Sequence, residues 1–317
     1  MYKFNPHIIR IGISGCLTGQ QVRFDGGHKR SDFCTEQLAE FVEFVPVCPE
    51  MAIGLGTPRP SIRLIGGEGQ LIAQTAKGED VTSALRDYGR TMAARFEGLS
   101  GYVLCAKSPS CGMERVRVYH QSGQGNAKEG VGIYAAEIMK ALPLLPCEED
   151  GRLNDPVLRE NFVNRVYALH DWQCLLFRGL TPSRLIAFHS RYKYLLMAHH
   201  TDSYQELGRL LADLSDNPEE KAEQYIHGLM NALRMRVSRK GHTNVLQHLQ
   251  GYFKRQLSSR QRQELARTIH QYRQGILPLL APITLLRHYL EEHPNDYLRQ
   301  QVYFDPHPEA LRLRYGI

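Results

Sequence analysis

The pattern of apolar and polar positions divides the chain into two stretches with different periods. Up to about residue 150, short β-rich runs alternate with segments of helical spacing. Ile8 to Ser14, Phe44 to Val47, Tyr102 to Ala106, Val116 to Tyr119 and Leu144 to Cys147 read as strands, and Asp32 to Phe41, Thr82 to Phe96 and Gly132 to Ala141 read as helices. Such alternation predicts an α/β domain with a Rossmann-like, mostly parallel sheet. From about Leu153 the β signals stop. Thr181-Pro182-Ser183 has the form of an N-cap followed by proline at the first helical position. Leu185, Phe188, Tyr192 and Leu195 then recur at helical spacing, as do Leu207, Leu210, Leu211 and Leu214, and Val245, Leu246, Leu249 and Phe253. The organisation expected is an α/β domain over 1–150, a connecting helical segment over 151–180 that carries the only tryptophan, Trp172, and a C-terminal all-α domain over 181–317.

Charge follows the same division. Residues 1–150 hold 16 Lys and Arg against 17 Asp and Glu, a balance of −1, whereas residues 151–317 hold 23 against 16, a balance of +7, and 11 of the 14 histidines. A nearly neutral part joined to a basic part points to a polyanionic partner for the second, or to a basic surface that is merely solvated. No run of 18 apolar residues occurs, and Met1 to Arg10 lacks the apolar core and small-residue cleavage site of a secretory signal, so a cytoplasmic protein without a membrane partner is expected.

Seven cysteines, an odd number in a chain without an export signal, make a disulfide framework a poor explanation. Three of them follow predicted strands. Cys16 lies in Ser14-Gly15-Cys16-Leu17-Thr18-Gly19, Cys48 in Val47-Cys48-Pro49-Glu50, and Cys111 in Lys107-Ser108-Pro109-Ser110-Cys111-Gly112. Loops at the carboxyl ends of parallel strands line the ligand crevice of an open sheet, so these thiols can converge although they are 32 and 63 residues apart. Iron–sulfur ligation, a zinc site completed by His28, and plain burial beside tight turns are all compatible with that placement. Cys34, Cys105, Cys147 and Cys174 fall within predicted elements or at a strand end and read as packing residues. Glu50 and Ser108 are placed to bring an acid/base group and a hydroxyl to the same site. Gly12, Gly15 and Gly19 do not form G-x-G-x-x-G, so a dinucleotide site is unsupported.

In the basic part, Arg234 to Arg255 holds six Lys and Arg, two histidines and no acidic residue. Arg234, Arg236, Arg239, Lys240, Lys254 and Arg255 are candidates for phosphates, and His242, Asn244, Gln247 and Tyr252 for bases or sugars. The bland alternative is an amphipathic helix with a wet basic side.

The four blocks Ser14–Gly19, Val22–Lys29, Val47–Glu50 and Lys107–Gly112 occur in an order that resembles the DUF523 family, which includes the thiouracil desulfidases; the likeness runs from about residue 8 to 165. It implies a [4Fe–4S] cluster held by Cys16, Cys48 and Cys111 with one iron open to substrate, and catalytic roles for Glu50 and Ser108. It also implies non-redox chemistry, in which water activated by a carboxylate replaces the exocyclic sulfur of a thiolated uracil. Ala187 to His199, Lys240 to His248 and Leu277 to Leu286 resemble the DUF1722 family, over roughly 181–310. The fusion of the two is similar to the tRNA 4-thiouridine desulfidases, which implies thiolated tRNA as substrate and RNA-binding partner. Desulfidation of free thiouracil or thio-nucleosides, and a non-enzymatic iron–sulfur RNA-binding or redox-sensing protein, are the alternatives.

Overall fold

The computed structural model describes residues 4–67, 70–120 and 126–315. The chain separates into two compact units, residues 1–155 and 156–317.

In the first unit, four strands form a wholly parallel sheet in the order β2 (Glu43–Val47), β1 (Arg10–Ser14), β5 (Gly101–Leu104) and β8 (Cys147–Glu149). Every residue of β5 and all but Arg10 of β1 are buried, as parallel strands covered on both faces require. Pro46 sits in the edge strand β2, where its missing N–H breaks no inner ladder. Gly12 pairs with Tyr102 in the register of β1 on β5, and a Cβ at Gly12 would lie 2.4 Å from the Tyr102 ring. The close approach of these two strands therefore needs glycine.

A second sheet was not foreseen from the pattern. It runs β4 (Gln70–Thr75), β3 (Ile62–Gly67), β6 (Val116–Tyr119) and β7 (Asn126–Gly130), with only the β3–β6 pair parallel. Leu64, Ala73 and Val116 of this sheet pack with Val81, with Leu85 of α2 (Thr82–Arg95) and with Ile133 of α3 (Ile133–Ala141). The predicted helix Asp32 to Phe41 is instead a π-type turn, Phe33–Gln37, followed by a 3₁₀ turn, Leu38–Glu40. A one-turn helix, α1 (Pro49–Ala52), follows Cys48 directly.

The second unit is helical throughout its described residues. Helix α4 (Pro156–Phe177) contains Trp172, and α5 (Pro182–His199) starts as expected, with the Thr181 hydroxyl accepting the Arg184 N–H and Pro182 in the first turn. Then come α6 (Thr201–Leu210), α7 (Pro218–Arg234), α8 (Arg239–Tyr252), α9 (Ser259–Arg273), α10 (Leu280–Glu292) and the single turn α11 (Asp296–Arg299). Val245, Leu246, Leu249 and Phe253, the stripe legible in the sequence, join Leu265, Ile269 and Leu286 in one buried cluster. No described helix is long and apolar enough to cross a membrane.

The start of α3 clamps the loop that carries Cys111. The N–H groups of Gly132, Ile133 and Ala135 donate to the carbonyls of Gly112, Pro109 and Ser110 at 2.8, 3.0 and 3.0 Å, which satisfies donors that a helix start leaves open. A Cβ at Gly132 would lie 2.5 Å from the Ser110 carbonyl and 2.8 Å from the Cys111 nitrogen. Gly132→Ala is therefore expected to destabilise the protein by about 1–3 kcal/mol in chemical denaturation. Unchanged stability would mean that the loop is not gripped in this way.

Candidate active site

The carboxyl ends of the parallel strands open into a cavity of about 390 Å³ lined by Cys16, Cys48, Cys105 and Cys111, with Glu50, Ser108, Lys29 and Arg59. Cys16 lies on the 3₁₀ turn Gly15–Thr18 directly after β1, and Cys48 is the cap of α1 directly after β2. Cys105 is the first residue after β5, and Cys111 follows in the loop that α3 clamps. The structure thus brings together Cys16, Cys48, Cys111, Glu50 and Ser108. It adds Cys105, which the sequence pattern had assigned to packing. His28 takes no part: it is exposed, does not line the cavity, and its Nδ1 accepts the Arg30 N–H at 3.3 Å.

All seven cysteines are free thiols. Those in the cavity press on one another electrostatically. The Cys16 thiol is raised by its hydrogen bond with Cys105, by burial and by the neighbouring Cys111 and Cys48, while the same hydrogen bond and nearby Lys29 lower Cys105. Burial, with Glu50 adding repulsion, pushes Cys48 up to about 12 and raises Cys111 well above the ordinary thiol range. A positively charged group bound among these thiolates would relieve that repulsion. Among the described residues, no three His, Cys, Asp or Glu side chains stand close enough to hold a single metal ion. Thiols are the usual protein ligands of iron–sulfur clusters, and four of them line this one cavity.

The other groups are fixed by their own partners. Glu50 is 9% exposed; its Oε2 accepts the Cys48 thiol at 3.3 Å and lies 3.9 Å from Arg59. Arg59 is held in turn by the carbonyls of Val22 and Gly56, each at 2.9 Å. Lys29 pairs with Asp150 at 2.8 Å, and the other oxygen of Asp150 accepts the Ala106 N–H at 2.8 Å. The Ser108 hydroxyl accepts the N–H groups of Ser110 and Cys111 at 3.3 and 3.1 Å. Ser14 Oγ accepts the Cys105 N–H at 3.0 Å.

Residues 11–150 match the family model described as 2-thiouracil desulfurase, and residues 193–308 match DUF1722, a family of proteins of unknown function. The chain is 39% identical over 154 residues to the uncharacterized protein YbgA of Escherichia coli (strain K12), covering 48% of this chain and 91% of that protein. The chain joins a region of the 2-thiouracil desulfurase family to a DUF1722 region. A second relative, the uncharacterized protein YbbK of Bacillus subtilis (strain 168), is 33% identical over 137 residues, covering 41% of this chain and 89% of that protein. Among solved structures, a [4Fe-4S]-dependent thiouracil desulfidase, TudS, is 30% identical with a TM-score of 0.39, covering 46% of this chain and 94% of that one. The cysteine cavity lies wholly within the desulfurase-family region.

The DUF1722 region places the basic candidates less uniformly. Arg234, Arg236, Lys240, Lys254 and Arg255 are exposed. Arg239 donates to the Tyr272 carbonyl at 3.1 Å and lies over the Tyr272 ring, and His242 turns inward, its Nδ1 3.0 Å from the Tyr303 hydroxyl. His242 is thus a correction: it lies on the buried face of α8, not on its wet one.

In the desulfurase region the geometry makes Ser108 the tie of the Cys111 loop. Ser108→Ala strands two N–H groups, and a loss of about 1–3 kcal/mol is expected in denaturant melts of the protein without added iron. A variant as stable as the parent would leave Ser108 with a role in the reaction alone.

Proposed function

We propose that the protein is a [4Fe–4S]-dependent desulfidase that converts 4-thiouridine in tRNA to uridine with release of hydrogen sulfide. The observation that carries this reading is the meeting of Cys16, Cys48 and Cys111 with the buried Glu50 in one cavity of a desulfurase-family region. Cys16, Cys48 and Cys111 would hold the cluster. When bound by three protein ligands, such a cluster supplies a sulfur-seeking Lewis-acidic iron.

The chain's own groups account for the rest. Glu50, kept in place beside Arg59, takes a proton from water, whose oxygen attacks the ring carbon that bears sulfur. The carbon–sulfur bond breaks, sulfur leaves with protons as hydrogen sulfide, and the carbonyl of uracil remains. Water and the thiocarbonyl give carbonyl and hydrogen sulfide, so no electrons are exchanged with an outside donor. Lys29 and Arg59 line the cavity as cations able to offset the charge that develops on substrate and leaving sulfur. The apolar wall from Val22, Phe24, Val47 and Ile62 suits the face of a pyrimidine.

The choice of tRNA rests on the basic second unit, whose exposed Arg234, Arg236, Lys240, Lys254 and Arg255 suit a phosphate backbone. A 4-thiouridine within folded RNA would have to be turned out of its stack to enter a cavity of this kind. Free thiouracil as the physiological substrate is the second reading, since a cavity of about 390 Å³ also admits an isolated base.

Cys105 decides between an enzyme with an open iron and a fully thiolate-capped sensor. Single changes of Cys16, Cys48 or Cys111 to Ala are expected to abolish iron retention after anaerobic reconstitution, whereas Cys105→Ala keeps it. Loss of iron in Cys105→Ala equal to that in the other three would favour the sensor.

Glu50→Gln is expected to retain the cluster and lose about 10²–10⁴-fold in turnover, as removal of a general base does. Near-parent turnover with a full complement of iron would remove Glu50 from the mechanism.

For the RNA contact, changing Lys254 and Arg255 together to Ala should weaken tRNA binding and flatten the dependence of log affinity on log salt by about one unit per lost phosphate contact. Parent-like affinity and slope would assign these side chains to solvent.

A further inference from the structure

The second unit contains a separate cavity of about 310 Å³, formed wholly within that unit between residues of α4, the end of α5, the start of α8 and Arg314. Its walls hold buried polar atoms without partners. His199, Asn164 and Arg314 are 8%, 5% and 7% exposed, and His199 Nε2, Asn164 Oδ1 and Arg314 Nη2 make no hydrogen bond. A buried atom of this kind left unpaired costs about 1–3 kcal/mol, more for a guanidinium, so a ligand that pairs all three binds with an advantage over one that does not.

The hydrogen-bond requirements of these atoms can be stated. His199 Nδ1 lies 2.6 Å from the Met235 carbonyl and must therefore carry the proton that it donates there. Burial pulls this imidazole down to about 4, with Arg165 and Arg314 adding to the effect, so the ring is neutral and Nε2 offers a lone pair. Asn164 Oδ1 is a second acceptor, and Arg314 Nη2 is a cationic donor. The rest of Arg314 is fixed: Nη1 donates to the carbonyls of Tyr303 and Phe304, and Nε pairs with Glu160 at 2.9 Å. Arg239 also lines the cavity, leaving two guanidiniums and one carboxylate, Glu160, among the described charged residues of its wall. The site therefore suits a ligand that is both an anion and a hydrogen-bond donor.

We propose that this cavity binds a phosphate group that still carries a proton, its oxygens accepting from Arg314 and Arg239 and its P–OH donating to His199 Nε2 or Asn164 Oδ1. Sulfate matches phosphate in size and shape but has no O–H at neutral pH, so it leaves both acceptors unpaired. Inorganic phosphate keeps a proton at pH 7, whereas a nucleoside monophosphate keeps one mainly below its second pKa of about 6. The site does not depend on the cluster or on the desulfidase chemistry.

The experiment uses the full chain at constant ionic strength, with binding followed by calorimetry and by the shift in melting temperature. Inorganic phosphate at pH 7 is expected to bind at least about tenfold tighter than sulfate, because the two differ in the one hydrogen bond that the site is built to receive. Of Asn164→Ala and His199→Phe, the one that removes the acceptor of the P–OH should reduce the phosphate response at least about tenfold. Uridine monophosphate at pH 5.5 distinguishes a phosphate ester from the free ion: binding equal to that of inorganic phosphate at the same pH assigns the site to nucleotide ends, and no binding assigns it to free phosphate. Equal binding of phosphate and sulfate, no binding of either, or a phosphate response unchanged in both variants overturns the proposal. Should either variant fail to fold, the comparison of phosphate with sulfate on the parent chain still decides.

Discussion

The arrangement of the first unit depends on one constraint, the parallel pairing of β1 with β2 and β5. Parallel strands end on the same edge, so the turns that leave them must share one region of space. Cys16, Cys48 and Cys105 are each within two residues of a strand end, and Cys111 is brought back to the same edge by the loop that the start of α3 holds. The glycines follow from this. Gly12 lets β1 approach Tyr102, and Gly132 lets α3 approach the Cys111 loop. Three buried sulfurs, the half-buried sulfur of Cys48 and a carboxylate then face one hollow, a combination that the unaided protein keeps from ionising together.

Much of this was legible in the sequence because strands and cysteines are both local features. The runs that became β1, β2, β5 and β6 are apolar and bounded by turn residues, and a cysteine just beyond such a run can be placed without knowing the rest of the fold. Cys105 was expected inside a strand, and the structure places it one residue beyond the strand end. The apolar run continues through Ala106, but the ladder ends at Leu104, so the thiol belongs to the loop. The β3–β4 hairpin was missed because Gly66 and Gly67 close one of its strands and little alternation marks the other. The pairing of Lys29 with Asp150 joins residues from opposite ends of the unit, which no local pattern reveals. His242, by contrast, carried a readable signal. It shares a helical face with Val245, Leu246 and Leu249, all fully buried, and that spacing places it inward.

The second unit shows how a basic composition can serve two ends. Arg234, Arg236, Lys240, Lys254 and Arg255 remain at the surface, where long side chains can meet phosphates at little cost. Arg239, Arg314 and His199 are drawn inward to a cavity with its own hydrogen-bond demands. Net charge alone does not separate these roles; burial and the partners of each nitrogen do.

In the proposed function the cysteine cavity of the first unit exchanges sulfur for oxygen on a thiolated uracil, and the basic unit makes tRNA the preferred carrier of that base. This is tested most directly by incubating the anaerobically reconstituted chain with thiolated tRNA and, separately, with free 4-thiouracil and 2-thiouracil, then measuring nucleosides or bases together with the sulfide formed. 4-Thiouridine in tRNA is expected to fall as uridine and sulfide appear in equal amounts, with a higher kcat/KM than for either free base. Sulfide release from free thiouracils alone, with tRNA left fully thiolated, would contradict the assignment of tRNA. No sulfide from any of the three, with the cluster intact, would contradict the desulfidase itself.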